Sequence, residues 1–240
     1  MAHVSITWDK NSERNLTSSM NFRGRAMELS DLSVFHNRIL TPDDKTGVIS
    51  EIKDSKMIPW VFLNSGPGNT TSPFKCEWMT IKDDVLYVGG HGTVTNVDWT
   101  TTYDKLRNAV GIFEPGYLTH EAVQWSEIQA HWFFLPRKES KTVYVDEEDE
   151  TKCTDLLIMG SPDLDYFEAK RIGVLRHERG YSTFDFIPGT DDKIIVALKS
   201  KEVTDEPVET YITVFTIDGK VLLDDQKLGG NYKFEGLYFV

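Results

Sequence analysis

Five oxygen-bearing residues, Ser30, Glu77, Glu121, Ser182 and Glu235, each stand at the opening of an apolar run. Their separations are 47, 44, 61 and 53 residues. Three carboxylates and two serines include no thiol and no imidazole, and hard oxygen donors of this kind suit calcium. With a few waters they fill a shell of about 6–8 oxygens. Carboxylates brought to one height repel each other unless a cation stands between them. Any one of these glutamates, taken alone, reads better as a strand-end acid facing water. Five in register favour a metal.

The elements that must position them are strands. Runs such as DDVLYVGG, HWFFLPR, DLLIMGS, DKIIVALKS and ETYITVFTI are rich in β-branched and aromatic residues, and HNR, PGTDD and DGK between such runs are hairpin chemistry. Helical periodicity is scarce. The best case is Thr101 to Ile112, with Tyr103, Leu106 and Val110 on one face. Many short strands without alternating long helices point to an all-β barrel, sandwich or propeller. A four-stranded propeller blade takes roughly 40–50 residues, more with insertions, so the spacing of the five openings favours the propeller. Each opening is then the inner strand of a blade, beside a central axis.

Bulk properties bound the partners. The net charge of −12 argues against non-specific nucleic-acid binding, although a metal ion or local arginines can still attract a polyphosphate. No run of 18 apolar residues exists, so no membrane span is expected. The start, MAHVSITWDK, has no apolar h-region, and no signal peptide is expected in this chain. Cys76 and Cys153 allow at most one disulfide, which spacing alone cannot pair. The sequons at Asn15 and Asn69 carry little weight, and the acidic run Val145 to Glu150 reads as a solvated loop.

GRAMELSDLSVF, DDKTGVI, CEWMTIKDDVLYVGG, PGYLTHEAVQWS, WFFLPRK, GYSTFDFIPGTDDKIIVALKS and KFEGLYFV, in that order, resemble the calcium-activated nucleotidases, or apyrases. The likeness runs from about Arg25 to Val240. It implies a single domain over residues 1–240, all-β, built as a five-bladed β-propeller with one blade incomplete in this chain. It also implies calcium-dependent hydrolysis of nucleoside di- and triphosphates such as ADP, ATP, UDP and GDP to monophosphate and orthophosphate. The family's calcium ligands fall on Ser30, Glu77, Glu121, Ser182 and Glu235. Glu28 and Asp44 fall beside the phosphates, where they would orient the attacking water. Arg25 suits a phosphate clamp. Trp78 and Trp125 suit either base stacking or the core, and His120 reads as packing. The family implies a secreted or ER/Golgi lumenal location, and a homodimer is compatible with it.

Two departures stand out. The segment that precedes SITWDK in the family is absent here, and the stretch between VGGHG and VDWTTTYDKL is short. HVSITWDK and FEGLYFV are therefore expected as strands of one blade that lacks its middle. A second function stays open, a propeller that binds calcium or nucleotide without turnover.

Overall fold

The computed structural model describes residues 4–9, 12–66, 69–90, 93–94 and 97–239. Its strands turn where the sequence offers residues that tolerate a left-handed backbone. His36 and Asn37 (φ 47 and 61°), Asp54 and Ser55 (49 and 60°), and Asp83 and Asp84 (52 and 59°) form two-residue hairpin turns. In the DGK turn it is Gly219, at φ 93°, that takes the strained position.

These hairpins build four antiparallel meanders, none closed into a barrel. Sheet 1 holds β1 (Ser33–Phe35), β2 (Arg38–Pro42), β3 (Val48–Lys53) and β4 (Lys56–Phe62). Sheet 2 holds β5 (Trp78–Lys82), β6 (Val85–Gly89), β7 (Thr93–Val94) and β8 (Val97–Asp98). Helix α1 (Thr100–Ala109) follows. Sheet 3 holds β9 (Tyr117–Ser126), β10 (His131–Ser140), β11 (Leu156–Gly160) and β12 (Phe167–Arg171). Sheet 4 holds β13 (Arg179–Phe186), β14 (Ile194–Lys201), β15 (Glu209–Thr216) and β16 (Val221–Lys227).

The first strand of each sheet meets the first strand of the next: β1 packs on β5, β5 on β9, and β9 on β13. Side chains join them. The Thr80 hydroxyl donates to Gln124 Oε1 (3.0 Å) and accepts from the Trp125 amide (2.8 Å). The Ser126 hydroxyl donates to Asp192 Oδ2 (2.7 Å). Asp31 reaches furthest. Its carboxyl accepts from the amides of Leu32 (2.8 Å) and Met79 (2.7 Å) and from the Thr183 hydroxyl (3.2 Å), so one side chain just before β1 holds sheets 2 and 4.

The apolar cores lie between sheets. Trp78, Trp99, Trp132 and Phe134 form one cluster between sheets 2 and 3, and α1 covers it with Leu106, Tyr103 and Val110, the face expected from its periodicity. Between sheets 3 and 4, Gly180 on β13 lies so close to β10 that an added Cβ would sit 2.4 Å from the Arg137 carbonyl oxygen. Gly180→Ala is therefore expected to cost about 2 kcal/mol by forcing the two strands apart. A denaturant midpoint equal to that of the wild type would contradict this contact.

Two expectations need correction. Residues 232–239 form no strand, and neither do residues 4–9. A strand needs a ladder partner, and here the C-terminal backbone is held by side chains instead. Thr210 Oγ1 accepts from the Phe234 amide (3.1 Å), and the Ser182 hydroxyl donates to the Phe234 carbonyl (2.9 Å). The two segments still come together, because Val4, Ile6 and Leu237 pack on one cluster of sheet 4. The acidic run is also not simply solvated. Asp149 in it is buried, and its carboxylate accepts from the Val145 amide. Both cysteines are buried free thiols.

Candidate functional site

A cleft of about 510 Å³ opens beside the start of β9 and the second half of β10, lined by Lys75, Glu121, Arg137, Lys138, Tyr144 and Glu202 among others. Arg137 is its centre. Pro136 has no amide hydrogen to give the ladder, and the β9–β10 register shifts on either side of it. Arg137 follows that irregularity with only 6% of its surface exposed. Its guanidinium donates to Glu121 Oε2 (2.7 Å) and to the Glu202 carboxylate, while its Nε has no partner among the described residues. Burial opposes the charge, but Glu121 and Glu202 outweigh it and push the arginine pKa further up.

Glu235 stands in the same electrostatic group. Burial pushes its carboxyl up to about 7 against the pull of Lys233, whose ammonium lies 2.6 Å away, and nearby Glu121 adds to the rise. Lys233 also reaches Glu202 (3.1 Å). Burial raises the Glu202 pKa, yet Arg137 and Lys233 together bring it below its ordinary value. Ser182, on β13, is tied to the residue before Glu235 through the Phe234 carbonyl.

A second group surrounds Glu77, the residue before β5. Its carboxylate pairs with Lys75, and its amide donates to the Gly89 carbonyl (2.8 Å). Asp44 feels it. Burial raises the Asp44 pKa against Lys45, and the negative charge of Glu77 raises it further. Asp44 Oδ2 lies 2.8 Å from Lys45 Nζ, while its Oδ1 is buried without a hydrogen-bond partner among the described residues. Lys45 also reaches Glu28 Oε2 (3.1 Å), and the Asp44 amide donates to the Glu28 carbonyl (3.0 Å), so one lysine and one backbone bond hold these two acids together. Ser30 is buried just before β1, its amide donating to the Pro42 carbonyl (3.1 Å). The Asp31 bridge brings its neighbourhood to those of Glu77 and Ser182.

The five ring residues thus fall in two linked groups, with Lys75 lining the cleft that Glu121 and Arg137 also line. Among the described residues, no three acids already converge as a metal cluster. Each ring carboxylate instead carries an ammonium or guanidinium: Lys75 on Glu77, Arg137 on Glu121, Lys233 on Glu235.

Other expected residues lie elsewhere. The Arg25 side chain is 59% exposed and pairs with Glu28, outside the Arg137 cleft. Trp78 is fully buried, its ring 5.7 Å from that of Trp99, so it has no face open to a base. Trp125 is buried in the same cluster, with Lys82 Nζ 4.7 Å from its ring. Both are core residues because β5 and β9 turn them into the space between sheets 2 and 3. His120 stacks on Tyr103 at 4.7 Å, the packing role expected for it. Within the shortened loop, His91, Gly92, Thr95 and Asn96 lie outside the described residues. Sequence reasoning passed over Arg137, Lys75, Lys233, Glu202 and Asp31. A proline followed by two cations at the end of an apolar run, in WFFLPRK, was the one local signal for Arg137.

The family model for apyrases matches residues 1–94 and 90–240. The chain belongs to the apyrase family. An apyrase of Caenorhabditis elegans is 43% identical over 263 residues, covering 99% of this chain and 74% of the worm protein. Soluble calcium-activated nucleotidase 1 of Rattus norvegicus is 41% identical, covering 99% of this chain and 64% of the rat protein. An apyrase of Cimex lectularius is 38% identical, covering 99% and 72%. The chain thus spans between 64% and 74% of the length of these three apyrase-family relatives.

A hard cation fits the residues this apyrase-family chain presents. The donors are oxygens throughout, and among the described residues Asp44 offers a buried oxygen without a hydrogen-bond partner, whereas Glu77, Glu121 and Glu235 would exchange their Lys75, Arg137 and Lys233 partners for the ion.

Proposed function

We propose that residues 1–240 act as a single propeller domain, with four complete blades and an incomplete fifth. On this reading the chain hydrolyses nucleoside di- and triphosphates, among them ADP, ATP, UDP and GDP, to monophosphate and orthophosphate in a calcium-dependent reaction. A secreted or lumenal setting accompanies that activity. The observation that carries the reading is the buried Arg137 guanidinium held between Glu121 and Glu202 at the floor of the cleft, within the electrostatic reach of Glu235.

Ser30, Glu77, Glu121, Ser182 and Glu235 would hold calcium, which when bound supplies Lewis-acid charge to phosphate oxygens. The chain's own residues do the rest. Lys75, Arg137 and Lys138 give an acidic protein a local positive floor that draws a polyphosphate in. Arg25, exposed beside Glu28 and outside the Arg137 cleft, would reach a phosphate from the Glu28–Lys45–Asp44 side. Asp44 accepts a proton from water or aligns it, and the burial-raised pKa makes it a better base than a solvated aspartate. Lys45 fixes Asp44 against Glu28, so the base does not have to be ordered during the reaction.

The test is phosphate release from UDP, GDP, ADP and ATP by the purified chain, with calcium and with excess chelator. Asp44→Asn is expected to lower turnover about 100-fold while calcium affinity, measured by calorimetry, stays within about twofold. Glu121→Gln is expected to weaken calcium affinity about 10-fold or more, because it removes a ligand charge. Full activity in chelator would overturn the calcium requirement. Calcium binding without phosphate release from any of the four nucleotides would assign the chain to the non-catalytic reading.

A further inference from the structure

Three residues beyond each member of the first ring stand Ser33, Thr80, Gln124, Asp185 and Tyr238. All five line one cavity of about 160 Å³, together with Trp125. Three residues of extended chain advance about 10 Å. The Arg137 cleft is lined from the side before the ring (Lys75, Thr119), and this cavity only from the side after it. The two therefore sit at opposite ends of the inner strands.

The chemistry of the second ring differs from that of the first. It has one carboxylate, and the other polar groups are neutral. Asp185 Oδ1 accepts from the Phe186 amide (2.7 Å), and among the described residues no lysine, arginine or histidine pairs with it. Burial is the main cause that raises the Asp185 pKa, opposed by the Phe186 and Phe239 amides and reinforced by the charge of Asp192; burial likewise raises Asp31 and Tyr238, with a smaller addition from Asp185. The Lys82 ammonium, over the Trp125 ring, is paired with Asp83 (2.6 Å). Among the described residues, the Trp125 indole N–H is buried without an acceptor. Asp185 calls for positive charge and Trp125 for an acceptor oxygen.

We propose that this cavity binds a monovalent metal cation, sodium or potassium, on the Asp185 carboxylate. Neutral oxygens of Ser33, Gln124 and Tyr238 complete the shell, with water accepting from Trp125. One carboxylate balances one charge, and divalent sites of useful affinity recruit more ligand charge than this. At about 30 Å³ per water, the volume admits an ion with a few of its waters. Burial pushes the Asp185 carboxyl up to about 6, so the site is open to a cation above that pH. The inference does not depend on the calcium reading of the first ring.

Thermal melting decides it, at pH about 8 in saturating calcium, with about 100 mM sodium or potassium chloride against the same concentration of tetramethylammonium chloride. Wild type is expected to melt about 3 °C higher in the alkali salt. Asp185→Asn, which keeps the side-chain shape, is expected to lose that difference, and Tyr238→Phe to lose part of it. Equal melting of wild type in both salts would overturn the proposal. So would an undiminished alkali effect in Asp185→Asn. A calcium equivalent lost in Asp185→Asn without any alkali dependence would make the cavity a divalent site and overturn the monovalent assignment.

Discussion

Asp31→Ala is expected to lower the melting temperature by about 10 °C, a larger stability loss than that expected of Gly180→Ala or Arg137→Ala. The carboxyl is fully buried and accepts three hydrogen bonds, from Leu32, Met79 and Thr183. Alanine leaves the Met79 and Leu32 amides and the Thr183 hydroxyl without their acceptor and opens a void where sheets 1, 2 and 4 meet. Each orphaned buried donor costs about 1–3 kcal/mol, and the sum of such losses with the void comes to about 4 kcal/mol. For a chain of this length about 2–4 °C accompanies each kcal/mol. Asp31→Asn keeps one acceptor oxygen at the same place and is expected to lose less than half as much. A melting temperature for Asp31→Ala within about 3 °C of wild type would show that the sheets hold together without this bridge.

Arg137→Ala is expected to cost about 3 kcal/mol in stability and to lower phosphate release by about 100-fold or more. Removing the guanidinium leaves Glu121 and Glu202 facing each other across the cleft with no cation between them. Arg137→Lys is expected to recover much of the stability but little of the turnover, since one ammonium replaces the charge and not the two-pronged donor. The pH profile separates this from a general packing defect. In wild type the Glu202 pKa is lowered from 4.5, by Arg137 and Lys233 acting against burial. A lowered acid contributes stability above its unfolded pKa and loses it as pH falls through the folded value. The stability gap between wild type and Arg137→Ala is therefore expected to be full near neutral pH and to shrink below about pH 4. A gap that stays constant down to pH 3, measured by denaturant titration at each pH, would count against the ion pairs as its source.

The site was only partly legible in the amino-acid order. Ser30, Glu77, Glu121, Ser182 and Glu235 stood out as candidates because each enters an apolar run at a blade-like period, and period is a property of the chain alone; their shared role as calcium ligands is a proposal. Trp78 and Trp125 were ambiguous for the same reason. An aromatic next to a candidate ligand looks alike whether it faces a substrate or a neighbouring sheet, and only the packing of β5 against β9 put both in the core. Asp31 was passed over because nothing local said that it would meet Thr183, 152 residues away.

What the sequence determined by itself was local: most of the strands, the turns in HNR and DGK, and helix α1 before sheet 3. These follow from alternation, from β-branched and aromatic residues, and from residues that accept positive φ, all of which act within a few positions. Only the tertiary structure decided that Arg137 lies buried between Glu121 and Glu202, that burial lifts the Glu235 carboxyl to about 7, and that residues 234–239 form no strand. Desolvation and ion pairing depend on which groups from distant sheets come to lie together, and a strand exists only where another backbone accepts its hydrogen bonds.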